Sequence, residues 1–95
     1  MLLGGAVTKN SAFAQAITEA RRQSGYTLRE LSMRSAHPHS AISNYEQNRR
    51  IPGAEVVVRL AIALGLRKGT ASWAVIMAAW SEQFTQQALQ RHGGI

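Results

Sequence analysis

Uncharged hydrogen-bonding side chains follow one another over residues 39–47, where the sequence reads HSAISNYEQ. The polar members of this segment, apart from one Glu, are His39, Ser40, Ser43, Asn44 and Gln47. Helices that only face solvent generally favour Glu and Lys instead. Small imidazole, hydroxyl and amide groups at helical spacing are what a helix needs to reach base edges in a major groove. The chemistry that this pattern predicts is recognition by hydrogen bonding.

The same segment has the start and stop signals of a short helix. Its apolar residues, which make one narrow seam, are Ala41, Ile42 and Tyr45. Pro38 has a fixed φ and no backbone N–H, which suits the first position of a helix. Asn48 stands where a left-handed residue closes a helix, and Pro52 prevents continuation. We therefore predict a helix from roughly Pro38 to Gln47.

A second short helix is predicted just before it. Thr27 and Glu30 have the spacing of a capping box, in which each side chain satisfies the other residue's backbone N–H. Leu28 and Leu31 then lie on one face, and the pattern fails before Pro38. The break between the two helices is too short to hold anything but a tight turn.

The run from Phe13 to Leu66, a little over half the chain, resembles the Cro/CI-type helix-turn-helix domain, also called the xenobiotic-response-element family. The resemblance rests on Arg21 at the end of a first helix, then T-L-R-E-L-S, A-I-S-N-Y-E, N-R-R-I-P and V-V-R-L-A-I-A-L-G-L in that order. Ala36 departs from it, since the tight turn usually has Gly and Ala needs either a φ below zero or modest strain. Pro38 also departs, because a Ser or Thr cap is common there.

The resemblance implies an all-α, lambda-repressor-like fold whose third helix enters the major groove of double-stranded DNA. The base-facing positions that it implies are His39, Ser40, Ala41, Ser43 and Asn44. His39 has a competing interpretation as a phosphate contact or a solvent-exposed side chain. The phosphate-contacting residues that we expect are Thr27, Arg29, Arg34, Arg49 and Arg50. The family also pairs the residues at Arg21 and Glu46, so we carry over a structural ion pair there.

The other elements of this domain follow from apolar periodicity. The first helix is predicted to start after Asn10 or Ser11 and to run to about Gln23. A fourth helix is predicted after Gly53 and ends at Gly65. The residues expected in the core beside these helices are Tyr26, Leu28, Leu31, Ile42 and Tyr45, with Met33 filling a gap and Leu66 tucked against them.

A fifth helix, from about Ala71 to Gln90, goes beyond the resemblance. Its apolar stripe is Trp73, Ile76, Met77, Trp80, Phe84, Ala88 and Leu89, with Glu82, Gln83, Gln86 and Gln87 opposite. One interpretation packs this stripe on the first and fourth helices of the same chain. The preferred one, which allows both kinds of contact, makes Trp73, Met77, Trp80 and Phe84 the interface of a homodimer, since aromatic residues are typical interface anchors.

The domain organisation that these patterns predict is a flexible arm at 1–9, a helix-turn-helix domain at 10–66, a dimerisation helix at 67–91 and a tail at 92–95. The 95 residues carry a formal charge of +6, and this excess favours a polyanionic partner over a merely soluble basic protein. There is no Cys, which suits a reducing cytosol. We see neither a secretion signal nor a run long enough for a membrane helix.

Catalysis is not expected. The three His residues have no carboxylates at metal-ligand spacing, and the chain has neither Asp nor a Gly-rich phosphate loop. We predict no cofactor and no metal. The expected function is transcription regulation, with a homodimer repressing a palindromic operator. The alternatives are an antitoxin-type regulator that binds a partner protein, and an RNA-binding or bridging module.

Overall fold

The computed structural model describes residues 11–93, with side chains described to residue 90. Its helices are α1 (Ala12–Ser24), α2 (Leu28–Ser35), α3 (His39–Glu46), α4 (Ala54–Ala63) and α5 (Ala71–Gly93). The described residues include no strand, so the predicted all-α fold of five helices is confirmed. The predicted arm at 1–9, the alternative cap Asn10 and residues 94–95 lie outside the described residues.

Local chemistry fixes the ends of α1. The Ser11 hydroxyl accepts from the Ala14 N–H at 3.0 Å, which satisfies one of the free amides at the start of the helix. At the other end, Gly25 takes a left-handed conformation with φ 78° and donates its N–H to the carbonyls of Arg21 and Arg22. The predicted α1 is therefore confirmed, and Ser11 is its cap.

The core is assembled from all five helices. Its buried large side chains are Phe13, Ile17, Leu31, Ile42, Tyr45, Val57, Leu60, Leu64 and Ile76. Each such side chain contributes about 1.5–3 kcal/mol when fully removed from water. Helix α1 packs on α3 and α5, and α2 packs on α3 and α4. Helix α3 contacts α1 and α2 through one side only, so its other side lies at the surface.

Most of the predicted neighbours of the core are in place, and one is wrong. Tyr26, Leu28 and Leu66 are half-buried and pack against the core, as expected. Met33 is 76% exposed and fills no gap. It lies two residues beyond the fully buried Leu31, and side chains two positions apart on a helix do not share a face.

The two halves of α5 differ in burial. Thr70 caps the helix, because its hydroxyl accepts from the Trp73 N–H at 3.3 Å. In the first half Ile76 is only 3% exposed, and Met77 and Trp80 pack against the core. In the second half Phe84 is 43% exposed and Leu89 is 63% exposed. The first half therefore packs within the chain, as one of the two interpretations has it.

Among the described helices, we find none that combines the length and the apolar character needed to span a membrane.

Candidate nucleic-acid interface

The turn between α2 and α3 is short and strained. Helix α2 begins with the predicted capping box, in which the Glu30 N–H donates to Thr27 Oγ1 at 3.0 Å and the Thr27 N–H donates to Glu30 Oε1 at 2.8 Å. After α2 the backbone of Ala36 is left-handed, with φ 53° and ψ 44°. This conformation costs an L-residue roughly 1–2 kcal/mol. Of the two options for Ala36, the strained one is realised.

Polar side chains of α3 lie on the side that faces away from the core. His39, Ser40 and Gln47 are exposed, whereas Ser43 and Asn44 are half-buried. The Gln47 amide donates to the Ser43 hydroxyl at 2.8 Å, one turn apart. The remaining residue of the predicted base-facing set, Ala41, is half-buried against the core. The outward face thus offers hydroxyl, imidazole and amide groups and no formal charge.

The N-terminal end of α3 is fastened by its near neighbours. Pro38 is the cap residue and supplies no side-chain bond. Instead, Ser32 Oγ donates to the His37 carbonyl at 2.6 Å, and His37 Nε2 lies 2.9 Å from the Tyr45 hydroxyl. Burial, helped by the positive charge of Arg59, lowers the pKa of His37. Burial likewise raises the pKa of Tyr45, so the structure favours a neutral His37 and Tyr45 pair.

The C-terminal end of α3 is fastened by α1. Arg21 donates from two guanidinium nitrogens to the Glu46 carboxylate, at 2.7 and 3.0 Å, and from the third to the Tyr26 carbonyl at 2.8 Å. The carboxylate raises the pKa of Arg21, and the two side chains are only 15% and 9% exposed. Two parallel bonds fix orientation as well as distance. The ion pair expected from the resemblance is confirmed.

Four arginines lie before and after α3 in the sequence. Arg29 and Arg34 belong to α2, Arg49 and Arg50 follow α3, and all four are exposed. Within the described part of the chain the ion pairs are Arg21 with Glu46 and Arg59 with Glu55, so none of the four is neutralised. The Arg34 guanidinium lies 4.3 Å from the centre of the Tyr26 ring, which restrains that side chain.

The loop after α3 has the conformation that the sequence predicts. Asn48 is left-handed with φ 61°, and the Arg49 N–H turns back to the Asn44 carbonyl at 2.8 Å. The sequence profile of the helix-turn-helix family matches residues 17–69, which is more than half of the chain. The chain belongs to the helix-turn-helix family. The predicted resemblance to its Cro/CI-type members is thereby confirmed.

Solved structures show that this helix-turn-helix protein shares its fold with known proteins over most of the chain. The clp gene regulator ClgR from Corynebacterium glutamicum superposes with a TM-score of 0.61 and 26% identity, over 85% of each chain. The restriction-modification controller protein C.AhdI from Aeromonas hydrophila superposes with a TM-score of 0.58 and 24% identity, over 60% of this chain and 86% of that one. The predicted lambda-repressor-like fold is confirmed.

A curated relative shares sequence with part of the chain. Multiprotein-bridging factor 1 of Schizosaccharomyces pombe is 32% identical over 60 residues, which make up 63% of this chain and 40% of that protein. The chain thus spans less than half of the length of this relative.

Two long-range hydrogen bonds of α5 are not predicted by the sequence patterns of this helix-turn-helix protein. Trp80, a residue of the predicted dimer interface, donates its indole N–H to the Pro52 carbonyl at 2.7 Å. Gln83, expected opposite the apolar stripe of α5, donates from its amide to Asn48 Oδ1 at 2.9 Å. Both partners are distant in sequence, so no local pattern could have revealed these bonds.

Among the described residues, no group of three or more His, Cys, Asp or Glu side chains could hold a metal ion. Of the predicted dimer residues, Trp73, Met77 and Trp80 are half-buried within the chain and Phe84 is exposed. Phe84 stacks on Trp80, with ring centres 5.0 Å apart. Whether these residues join two copies stays a prediction.

Proposed function

We propose that this protein is a transcriptional regulator that binds double-stranded DNA in a sequence-specific manner. The observation that carries the proposal is the outward face of α3, which is polar and uncharged and has in its sequence neighbourhood four exposed arginines without acidic partners in the described chain. Such a face can form hydrogen bonds with bases while the cations on either side neutralise phosphates. Membership of the helix-turn-helix family supports the same function.

Base recognition is assigned to His39, Ser40, Ala41, Ser43 and Asn44. The Asn44 amide can pair with adenine through two hydrogen bonds, and the Ala41 methyl group can contact a thymine methyl. Ser40 can donate or accept, and His39 can donate to guanine. Because Ser43 already accepts from Gln47, it retains its hydroxyl proton for an acceptor on a base.

Phosphate contacts are assigned to Thr27, Arg29, Arg34, Arg49 and Arg50. Thr27 is at the N-terminus of α2, where free backbone amides attract an anion, although its hydroxyl is occupied by the capping box. The arginines stand before and after α3, so they would contact the two rims of the groove. In a plot of log K against the logarithm of the salt concentration, each neutralised phosphate contributes about −0.9 to the slope.

The proposed assembly is a homodimer on a palindromic operator, since one recognition helix reads only a few base pairs. Two such helices placed roughly 34 Å apart select a longer site. The exposed Phe84 and Leu89 supply an apolar surface for this contact. A dimer that covers a promoter acts most simply as a repressor.

Selection of bound sites from a pool of random duplexes tests the function directly. We expect an enriched palindrome whose half-sites are one helical turn apart, with affinity that falls steeply as salt rises. Asn44→Ala should cost about 1–3 kcal/mol at one defined base pair, whereas Arg49→Ala should weaken all sequences alike. A pool that yields no enriched sequence, or salt-insensitive binding, would count against the proposal.

The dimer has its own test in the second half of α5. Phe84→Glu should give monomers by light scattering and weaken operator binding, because a charge would replace an exposed aromatic anchor. Gln86→Glu, which adds the same charge on the same helix at an exposed polar position, should leave the dimer intact. A dimer that survives Phe84→Glu removes this assignment.

A protein-binding role is the second candidate, and the same exposed surface favours it. Phe84 and Leu89 could bind a different protein, as in an antitoxin-type regulator or a bridging module. The name of the S. pombe relative describes bridging between proteins. Purification from the native host separates the two: a stoichiometric second protein that is lost in Phe84→Glu would favour this role, and a pure homodimer would favour the first.

A further inference from the structure

Two side chains of α5 hold the loop that follows α3. Trp80 packs against the core and donates its indole N–H to the carbonyl of Pro52, a fully buried residue. One turn further along the helix, the Gln83 amide donates to Asn48 Oδ1 at 2.9 Å. These bonds span 28 and 35 positions of the chain. They therefore join the loop to a part of the fold outside the helix-turn-helix unit.

Arg49 and Arg50 lie between the two points of attachment. Their side chains are exposed, and the loop is bonded to α5 on both sides of them, at the Asn48 side chain by Gln83 and at the Pro52 carbonyl by Trp80. The N–H of Arg49 is bonded in addition to the Asn44 carbonyl in the last turns of α3. The two guanidinium groups thus start from a backbone that is fixed relative to the recognition helix.

We propose that Trp80 and Gln83 are positioning residues for phosphate binding, which act through the loop at 48–52. The inference rests on the proposed DNA-binding function. A loop that is ordered before binding loses less conformational freedom when its arginines meet phosphate, and affinity rises accordingly. Helix α5 then serves both the core and the DNA contact, whatever its exposed second half binds.

Stability alone does not explain why residue 83 is Gln. Its Oε1 atom is buried and has no hydrogen-bond partner among the described residues. A buried acceptor without a partner destabilises a fold, and an apolar side chain of similar shape avoids that cost. The amide is therefore better explained by its bond to Asn48 than by packing.

The experiment uses variants that remove one hydrogen bond and keep the packing. Trp80→Phe loses only the indole donor and part of the ring, and Gln83→Met keeps the length of the side chain without its amide. Gln86→Met and Gln90→Met, at exposed positions of the same helix, are the matched controls. We expect the first two to weaken operator binding roughly five- to tenfold, the effect of one hydrogen bond, and the controls to change it little. The melting temperature of Gln83→Met should not fall, and the selected sequence should stay the same.

A second background tests the route of the effect. In Arg49→Ala Arg50→Ala, we expect Trp80→Phe and Gln83→Met to cause no further loss of affinity, because the groups they position are gone. An equal loss in both backgrounds would overturn the inference. So would wild-type affinity of Trp80→Phe and Gln83→Met in the native background.

Amide hydrogen exchange without DNA separates this inference from the proposed function. If the loop is held by α5, exchange at the Arg49 N–H should accelerate in Gln83→Met and Trp80→Phe and not in the controls. Unchanged exchange at Arg49 would overturn the inference even if the protein binds DNA. Faster exchange in a protein that binds no duplex would instead support the attachment and refute the DNA-binding function.

Discussion

The two ends of α3 are held in different ways. The N-terminal end depends on neighbours in the chain, through the bonds of His37 to Ser32 and Tyr45. The C-terminal end depends on distant helices, through Glu46 bonded to α1 and the following loop bonded to α5. The N-terminal end, with His39 and Ser40, is thus set by local sequence, whereas the loop with Arg49 and Arg50 is held by distant parts of the fold.

The two ends of α3 also differ in how favourable their contacts are. At the N-terminal end Ala36 is left-handed and Pro38 provides no side-chain cap, so strain and a missing bond coincide. At the C-terminal end the ion pair is bidentate and nearly buried. We therefore expect the C-terminal end to carry more of the stability and the N-terminal end to be the more adaptable one.

The largest effect should come from the C-terminal end. Arg21→Met removes both bonds to Glu46 and leaves a carboxylate that is only 9% exposed without its partner. The free energy of unfolding should fall by about 3 kcal/mol, the lower part of the range for breaking a buried pair. Urea unfolding followed by circular dichroism measures it.

Matched substitutions decide whether the pair is the cause. Arg22→Met, at the exposed neighbouring position, should change the free energy of unfolding by less than about 0.5 kcal/mol. Arg21→Met combined with Glu46→Leu should recover much of the loss, since an apolar pair replaces the charged one. If Arg21→Met unfolds like the wild type, the C-terminal end is no more firmly held than the other.

The sequence predicts the parts of the site that depend on local contacts better than those that depend on distant ones. The capping box of Thr27 and Glu30 and the left-handed Asn48 are decided by residues within one turn, so the sequence pattern predicted them. The pair of Arg21 and Glu46 spans 25 positions and was predicted only because a family resemblance supplied the partner. No such resemblance covers α5, and its bonds to Asn48 and Pro52 were missed.

Helix α5 also shows what periodicity leaves open. A stripe at three- and four-residue spacing predicts that a helix has an apolar side, but not what covers it. Ile76 and Phe84 belong to one predicted stripe, yet they are 3% and 43% exposed. Among the described residues of α5, those packed on the core all belong to its first half. Gln83 lies where the polar side meets the loop after α3, which only the packing angle of α5 could reveal.

A smaller effect, of opposite sign, should come from the strained turn. Ala36→Gly relieves the cost of a left-handed L-residue at φ 53° and should raise the free energy of unfolding by about 0.5–1 kcal/mol. Ala78→Gly is the matched control, since the same change at an exposed position inside α5 should cost up to about 1 kcal/mol. Thermal unfolding of the two variants under one set of conditions compares them. A destabilised Ala36→Gly would mean that the turn carries no strain at Ala36.

The smallest effect should be a pH dependence confined to the N-terminal end. Burial and Arg59 lower the pKa of His37 in the folded chain below its ordinary 6.5, so the unfolded chain takes up this proton first as the pH falls. The contribution of His37 is then fully present above pH 6.5 and is lost as the pH falls from there through its lowered pKa.

His37→Gln should flatten that part of the stability curve, because no titrating group remains in contact with the Tyr45 hydroxyl. His39→Gln, the same substitution at an exposed position of α3, is the matched control. Urea unfolding at half-unit steps between pH 5.5 and pH 7.5 measures the two slopes, and equal slopes for both variants would show that the N-terminal end of α3 is not held by a neutral His37.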